Sequence, residues 1–314
     1  MSVLDQLVAM VSSPLMLRAL LAAVVVGAAA PVVGTFLVQR RLALMGDGIG
    51  HVALTGVALG WLVGNAASVV PQDSLALPGA VVTAIAGSIA IELVRERGRT
   101  SGDLALALMF YGGIAGGVLL IKVAGGTNAN LISYLFGSIS TVSNADLVWT
   151  VGLAVVVLAI GLGLRAALFS VSHDEEFARA SGLPVRVLNI LVATIAALTV
   201  TVAMRVVGLL LVSALMIVPV AVAQLVARSF GRTMAVASAT GAAVSVVGLS
   251  FTYWQDYPPG ATIVVLAVLV YAAVAVTRPL LRRSAPVHDP HPDVLDDLEL
   301  TGTEGGTGRA PETC

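Results

Sequence analysis

Asp47 and His51 are the residues most able to do chemistry, in the stretch Arg40-Arg41-Leu42-Ala43-Leu44-Met45-Gly46-Asp47-Gly48-Ile49-Gly50-His51. A carboxylate and an imidazole at i and i+4 share one helix face, roughly 6 Å apart along its axis. That mixture suits zinc, manganese or ferrous iron, whereas calcium and magnesium ask for oxygens alone. Two other readings fit the same pair. It could be a hydrogen bond that satisfies two buried polar groups, or a proton relay of the kind found in ion-coupled transporters. Ten helical residues from Arg41, at about 1.5 Å each, would place His51 roughly 15 Å into a bilayer, near its midplane. One Asp and one His are too few for a selective site. Two copies about a two-fold axis would supply two of each, and the paired carboxylates would offset a dication.

The elements that must hold this pair are membrane helices. The chain has 314 residues, of which 58% are hydrophobic and only 11% charged. A soluble domain carries about a quarter of its residues as charges. Successive apolar runs near 16–39, 42–64, 76–94, 104–124, 145–169, 187–204, 206–227, 233–254 and 260–279 predict eight or nine spans of an all-α polytopic bundle. The short segment Leu131–Ser140 is too brief to cross and reads as interfacial or re-entrant. Between the sixth and seventh runs, at Met204-Arg205, almost no loop remains, which fits a tight hairpin or a broken helix. The alternation expected of a membrane β-barrel is missing.

Nine spans gather Arg40, Arg41, Arg95, Arg97, Arg99, Arg165, Arg179, Arg186, Arg228, Arg232, Arg278, Arg282 and Arg283 on one side. Arg18, Lys122 and Arg205 fall on the other. The Arg-rich side is therefore expected in the cytoplasm of a cell-membrane protein, with the N-terminus outside and the C-terminus inside. The opening MSVLDQLVAMVSSP has neither a basic n-region nor an A-x-A site, so the first span is expected to act as the insertion signal. Residues 1–283 form the expected membrane domain. The rest, 284–314, is rich in Pro, Gly, Asp and Thr and reads as a disordered cytoplasmic tail in which His288 and His291 are solvated.

Other features have plainer readings. Glu92, near the Arg-rich end of its span, is expected to pair with Arg95 or Arg99, and Lys122 to snorkel to the headgroups. The glycines 112, 113, 116 and 117 fit close helix–helix approach in lipid. A net charge of −1 points away from nucleic acid, and the single cysteine, Cys314, excludes a disulfide framework. No G-x-x-x-x-G-K-[ST] or H-E-x-x-H occurs. The chain is not expected to be an enzyme, and the energy for transport must come from elsewhere.

Two segments on the Arg-rich side read as contact surfaces. His173–Pro184 predicts a short helix with an acidic first turn and a glycine stop. Gln224–Arg232 is a basic bend following Pro219. Being short and bracketed by spans, it is the expected lever for a partner that supplies energy, through Gln224, Arg228, Phe230 and Arg232.

Taken together the motifs resemble the zinc/manganese/iron ABC importer permeases. The resemblance rests on Arg40–Asp47 with His51, Leu54-Thr55-Gly56-Val57-Ala58-Leu59-Gly60, and Tyr134-Leu135-Phe136-Gly137-Ser138. It continues through Glu175–Gly182, Val207–Pro219 and Pro258-Pro259-Gly260-Ala261-Thr262, so that it covers about residues 14 to 281. The chain departs from the family's pattern at Gly50 and Thr55, where Ser and Pro are common. The resemblance implies the architecture of the cobalamin and siderophore importers (type II ABC importers). It also implies a permease homodimer, two cytoplasmic ATPase subunits and an extracellular metal-binding protein that delivers Zn²⁺ or Mn²⁺, less often Fe²⁺, as transported cargo rather than bound cofactor. Asp47 and His51 become its metal contacts.

The composition shift after Arg283 gives a first test. A chain truncated before Ser284 is expected to reach the membrane and to accumulate metal in cells as the full chain does. Normal protein level with lost accumulation would show that the tail regulates transport.

Overall fold

The computed structural model describes residues 10, 12–68, 74–97, 102–137, 142–255 and 257–282. The expected disordered tail and the side chain of Arg205 lie outside the described residues, as does Arg99. The described chain up to Val276 belongs to one compact unit, and a second unit begins at Thr277.

Among the described residues twelve helices follow one another: α1 Pro14–Gln39, α2 Met45–Ala66, α3 Ala76–Glu96, α4 Gly102–Val123, α5 Asn128–Phe136, α6 Asn144–Gly163, α7 Arg165–His173, α8 Glu175–Ala180, α9 Val185–Val207, α10 Leu209–Val226, α11 Phe230–Trp254 and α12 Pro259–Arg282. Among the described residues nine of these are long and apolar enough to cross a membrane. Helices do so because every backbone N–H and C=O is satisfied within the segment, which lipid demands. Buried threonines and serines add to this economy by donating back one turn, as Thr35 does to the Pro31 carbonyl at 2.7 Å and Ser245 to Gly241 at 2.8 Å.

The centre of the bundle is α1, α2, α9 and α10, while α4, α6 and α12 are the most peripheral spans. Exposed Val148, Trp149 and Val155 on α6 and Val265 and Leu269 on α12 are the side chains lipid would cover. The site helix α2 is sandwiched between α3 and α4, and α1 lies along α11.

Three boundaries differ from the sequence expectation or resolve it. The expected span 145–169 ends at Gly163, and Arg165–His173 forms a separate helix. Gly161 and Gly163 weaken the helix there, and Arg165 belongs at an interface rather than in hydrocarbon. The site helix begins at Met45 rather than 42, because residues 41–44 form a turn. The sixth and seventh spans are joined by one residue, Gly208, at φ 87° and ψ 151°. Arg186 at the start of α9 pairs with Glu96, and Gln224 at the end of α10 shares a cavity with Gln39 and His173. Both helices thus have their far ends at the Arg-rich end, and the joint is a tight hairpin.

Gly208 allows nothing else. Its dihedral region is essentially reserved for glycine, and an added Cβ would run into the backbone of Phe136 and Gly137. Gly137, at φ 74°, would likewise meet the Val207 carbonyl carbon at 2.5 Å. Gly208→Ala is expected to cost about 1–3 kcal/mol from the backbone conformation alone, seen as a lower melting temperature in detergent. Gly112→Ala, at a position with nothing within 4 Å, is the matched control and should melt like the parent.

Candidate functional site

The site is built on the joint between α1 and α2. Helix α1 closes with a Schellman arrangement, in which the Arg41 N–H donates to the Val38 carbonyl at 3.1 Å and the Leu42 N–H to Leu37 at 2.8 Å. Glycine usually holds the left-handed position of this motif, but here it is Arg41, at φ 58°. A non-glycine residue in that region is strained, and strain of this kind collects at functional sites. Met45 then donates to Leu42 at 2.9 Å and Gly48 to Leu44 at 3.0 Å, so α2 starts without slack.

Asp47 and His51 lie in the first two turns of α2. His51 Nε2 and Asp47 Oδ1 are 3.7 Å apart, too long for a hydrogen bond. Their side chains are 6% and 21% exposed, respectively. Asp47 Oδ1 and His51 Nδ1 are buried with no hydrogen-bond partner among the described residues. The purely structural reading, a hydrogen bond satisfying both groups, therefore does not describe this geometry. Two ligand atoms each about 2.1 Å from one ion at a tetrahedral angle would be about 3.4 Å apart, close to the spacing seen.

Small residues bring α4 against the site. An added Cβ on Gly113 would sit 2.6 Å from the His51 carbonyl carbon, and one on Gly117 would sit 3.3 Å from the Thr55 amide. Thr55 Oγ1 donates to the Gly113 carbonyl at 2.9 Å, an interhelical bond. The Phe110 ring meets His51 edge-on at 4.6 Å. Asp47, Arg41, Leu44, Leu106, Phe110 and Tyr111 line a cavity of about 350 Å³. The late start of α2 places His51 six residues, or about 9 Å, along the helix rather than 15 Å. No group of three or more His, Cys, Asp or Glu able to hold a metal occurs among the described residues of one chain.

Beside the site is a charge cluster that sequence reasoning only half saw. Glu92 pairs with Arg95 at 3.0 Å as expected, but it also accepts from Arg40 at 3.4 Å. Arg40 donates to Glu175 at 3.0 Å, and Arg95 approaches the same carboxylate at 3.6 Å. Asn189 Nδ2 donates to Glu175 Oε1 at 3.1 Å. The Arg40 and Glu92 side chains are only 4% and 2% exposed. Burial pulls the Arg40 guanidinium below its ordinary range, Glu92 and Glu175 pull the other way, and Arg95 acts with burial. An arginine stays charged through such a contest. The available signal was Glu92 itself, since a carboxylate inside an apolar run requires a cation.

The second expected contact segment, His173–Pro184, contains α8, capped by the Asp174 side chain accepting from Phe177 N at 2.9 Å and closed at Gly182, φ 79°. In the basic bend, Gln224, Arg228 and Arg232 are exposed. Phe230 is different: it turns inward, 5.5 Å from Phe36 and 4.8 Å from Phe169. Phe169 in turn stacks on His173 at 5.5 Å, and the His173 Nδ1 and Gln39 Nε2 atoms are 3.3 Å apart. The bend is thus anchored to α7, which leads into the His173–Pro184 segment, and the two contact segments form one surface strip.

Known proteins supply the remaining context. The chain is 32% identical to the manganese transport system membrane protein MntC of Halalkalibacterium halodurans, over 81% of this chain and 84% of that one. It is 32% identical to the manganese import system permease protein ScaB of Streptococcus parasanguinis, over 81% and 87%. The chelated iron transport system membrane protein YfeD of Yersinia pestis is 29% identical over 84% and 85%. Among solved structures, PsaBC from Streptococcus pneumoniae in complex with Fab superposes with a TM-score of 0.76 at 30% identity, covering 87% of this chain and 95% of that chain. A metal-chelate type ABC transporter in an inward-facing conformation shares the fold, with a TM-score of 0.63 at 19% identity over 88% and 91%. The family profile of the ABC 3 transport family matches residues 12–278, and the chain belongs to that family of metal-ion ABC importer permeases, multi-pass membrane subunits whose ATPase is a separate protein.

Proposed function

We propose that this permease imports a divalent transition metal, Mn²⁺ or Zn²⁺ ahead of Fe²⁺, and that Asp47 and His51 contact the ion during passage. The observation that carries the reading is the unpartnered pair itself: a buried carboxylate oxygen and imidazole, 3.7 Å apart on one helix face beside a cavity. The names of the relatives favour manganese. The ligand types accept zinc equally, because selectivity among these metals lies in geometry. Two ligands from one chain leave the ion undercoordinated, so the reading includes a second copy of the permease that contributes its own Asp and His about a two-fold axis.

The rest of the assembly follows from charge. The Arg-rich end faces the cytoplasm, with the N-terminus outside, the C-terminus inside and the metal arriving from an extracellular binding protein. The ATPase docks at the Arg-rich end, where Gln224, Arg228 and Arg232 are exposed and Phe230 holds their bend in place.

Asp47→Ala and His51→Ala are each expected to abolish uptake of radioactive manganese and zinc at limiting metal, with the variant still assembling with its ATPase. Uptake at the parental rate in either variant would sink the metal-contact reading. Uptake that is lost only with the proton gradient, and not with ATP, would point to the proton relay instead. Charge reversal at Arg228 and Arg232 together is expected to leave insertion intact but to abolish co-purification with the ATPase. Retained co-purification and transport would move the docking point to α8.

A further inference from the structure

The Arg40 cluster is not explained by metal contact, since it lies outside the site cavity, nor by lipid, since Arg40 and Glu92 are buried in protein. Glu92 from α3 and Glu175 from α8 meet a guanidinium at the last residue before the α1–α2 turn, and Asn189 from α9 donates to Glu175. We propose that Arg40 is a positioning residue for transport: it ties the surface strip of α7 and α8 to the first turn of the site helix, so that the strip and Asp47 move as one body. The inference rests on the reading that Asp47 and His51 contact transported metal and that the Arg-rich end receives the ATPase.

Three observations support the linkage. First, the joint is stiff. Separating a buried ion pair leaves an uncompensated charge in a low dielectric, so the partners follow one another rather than part. Here the Arg40 and Glu92 side chains are 4% and 2% exposed, and the same buried guanidinium holds the half-exposed Glu175 of α8 at 3.0 Å, with Asn189 donating to that carboxylate. Second, the path from Arg40 to Asp47 has no loose segment. The Schellman closure at Arg41 and the bonds from Met45 to Leu42 and Gly48 to Leu44 run from the cluster into α2. Third, α8 presents two faces. Glu175 points into the cluster, while the Phe177 side chain, 64% exposed, stands at the surface where a partner could grip it. The strip extends to the basic bend through Phe169 and Phe230, so load applied at either contact segment converges on Arg40.

The test uses the purified permease with its ATPase in proteoliposomes and reads manganese transported per ATP hydrolysed. Glu175→Gln preserves size, and its partial exposure lets the fold tolerate it. The variant is expected to co-purify with the ATPase and to hydrolyse ATP, but with about tenfold less metal moved per ATP, the scale of a typical coupling energy. Arg40→Lys keeps the charge but loses the planar fork, and should uncouple likewise. Arg186→Gln, which removes the exposed pair with Glu96 at the same end, should leave the ratio unchanged. An unchanged ratio in Glu175→Gln would overturn the proposal. So would parallel loss of hydrolysis and transport, or failure to assemble, since each marks the cluster as structural support only. A parent protein that moves no metal would instead refute the function on which the inference rests.

Discussion

The constraint around which this end of the bundle is organised is that a guanidinium sealed from water must be matched by carboxylates within hydrogen-bond reach. Arg40 meets it with Glu92 at 3.4 Å and Glu175 at 3.0 Å. Helices in lipid gain little from burying apolar surface against each other, because the hydrocarbon outside is equally apolar. Small residues permit close packing but do not choose which helices meet. An ionic cluster does choose, since a slipped register would strand a charge at high cost. The end of α1 and the elements α3, α8 and α9 are thereby fixed relative to one another, and the start of α2 inherits its position from them.

Against that satisfied cluster, the state of Asp47 is informative. The bundle generally answers its buried hydroxyls locally: Thr150, Thr199 and Thr201 donate to carbonyls one turn back, and Ser213 does the same. Among the described residues the buried side-chain atoms without a hydrogen-bond partner are Arg40 Nε, Asp47 Oδ1, His51 Nδ1, Trp61 Nε1 and Asn189 Oδ1. Arg40 and Asn189 are engaged through their other atoms, and Trp61 is neutral and packs on Tyr134 at 5.9 Å. Asp47 is the carboxylate in that set, and the imidazole four residues on lies 3.7 Å from it. A chain that pairs Glu92 so thoroughly has not left Asp47 open for want of arginines, since Arg41 lines the same cavity. That contrast is the support for the proposed metal contact at Asp47.

How much of this was legible in the sequence depends on the range of the interaction. Apolar runs of about twenty residues give the spans directly, and the Asp47/His51 pair is visible because its partners are one helical turn apart. The short helix α8 was legible from Asp174 and Gly182, each acting within a few residues. The Arg40 cluster was not, because its partners lie 52 and 135 positions away and nothing local marks Glu175 as facing inward. The packing of Phe230 was hidden in the same way. As part of a basic bend it reads as a contact residue, yet it fills a space between Phe36 and Phe169 that only tertiary packing defines. The break at Gly163 was lost because Leu164 and the residues after Arg165 continue the apolar run while the helix does not.

The two ends of the bundle are built from different materials. At the Arg-rich end the contacts are side chains: ion pairs, stacked rings and an amide, which hold elements together without bringing their backbones into contact. At the far end Gly137, Gly208 and Gly260 bring main chain against main chain. An added Cβ on Gly260 would meet the Phe136 carbonyl oxygen at 2.5 Å. Two of these glycines, Gly137 and Gly208, sit at positive φ, where a side chain would be strained as well as crowded. The site helix α2 begins at the Arg-rich end, and the ion pairs that Arg40 makes to α3 and α8 set where its first turn stands.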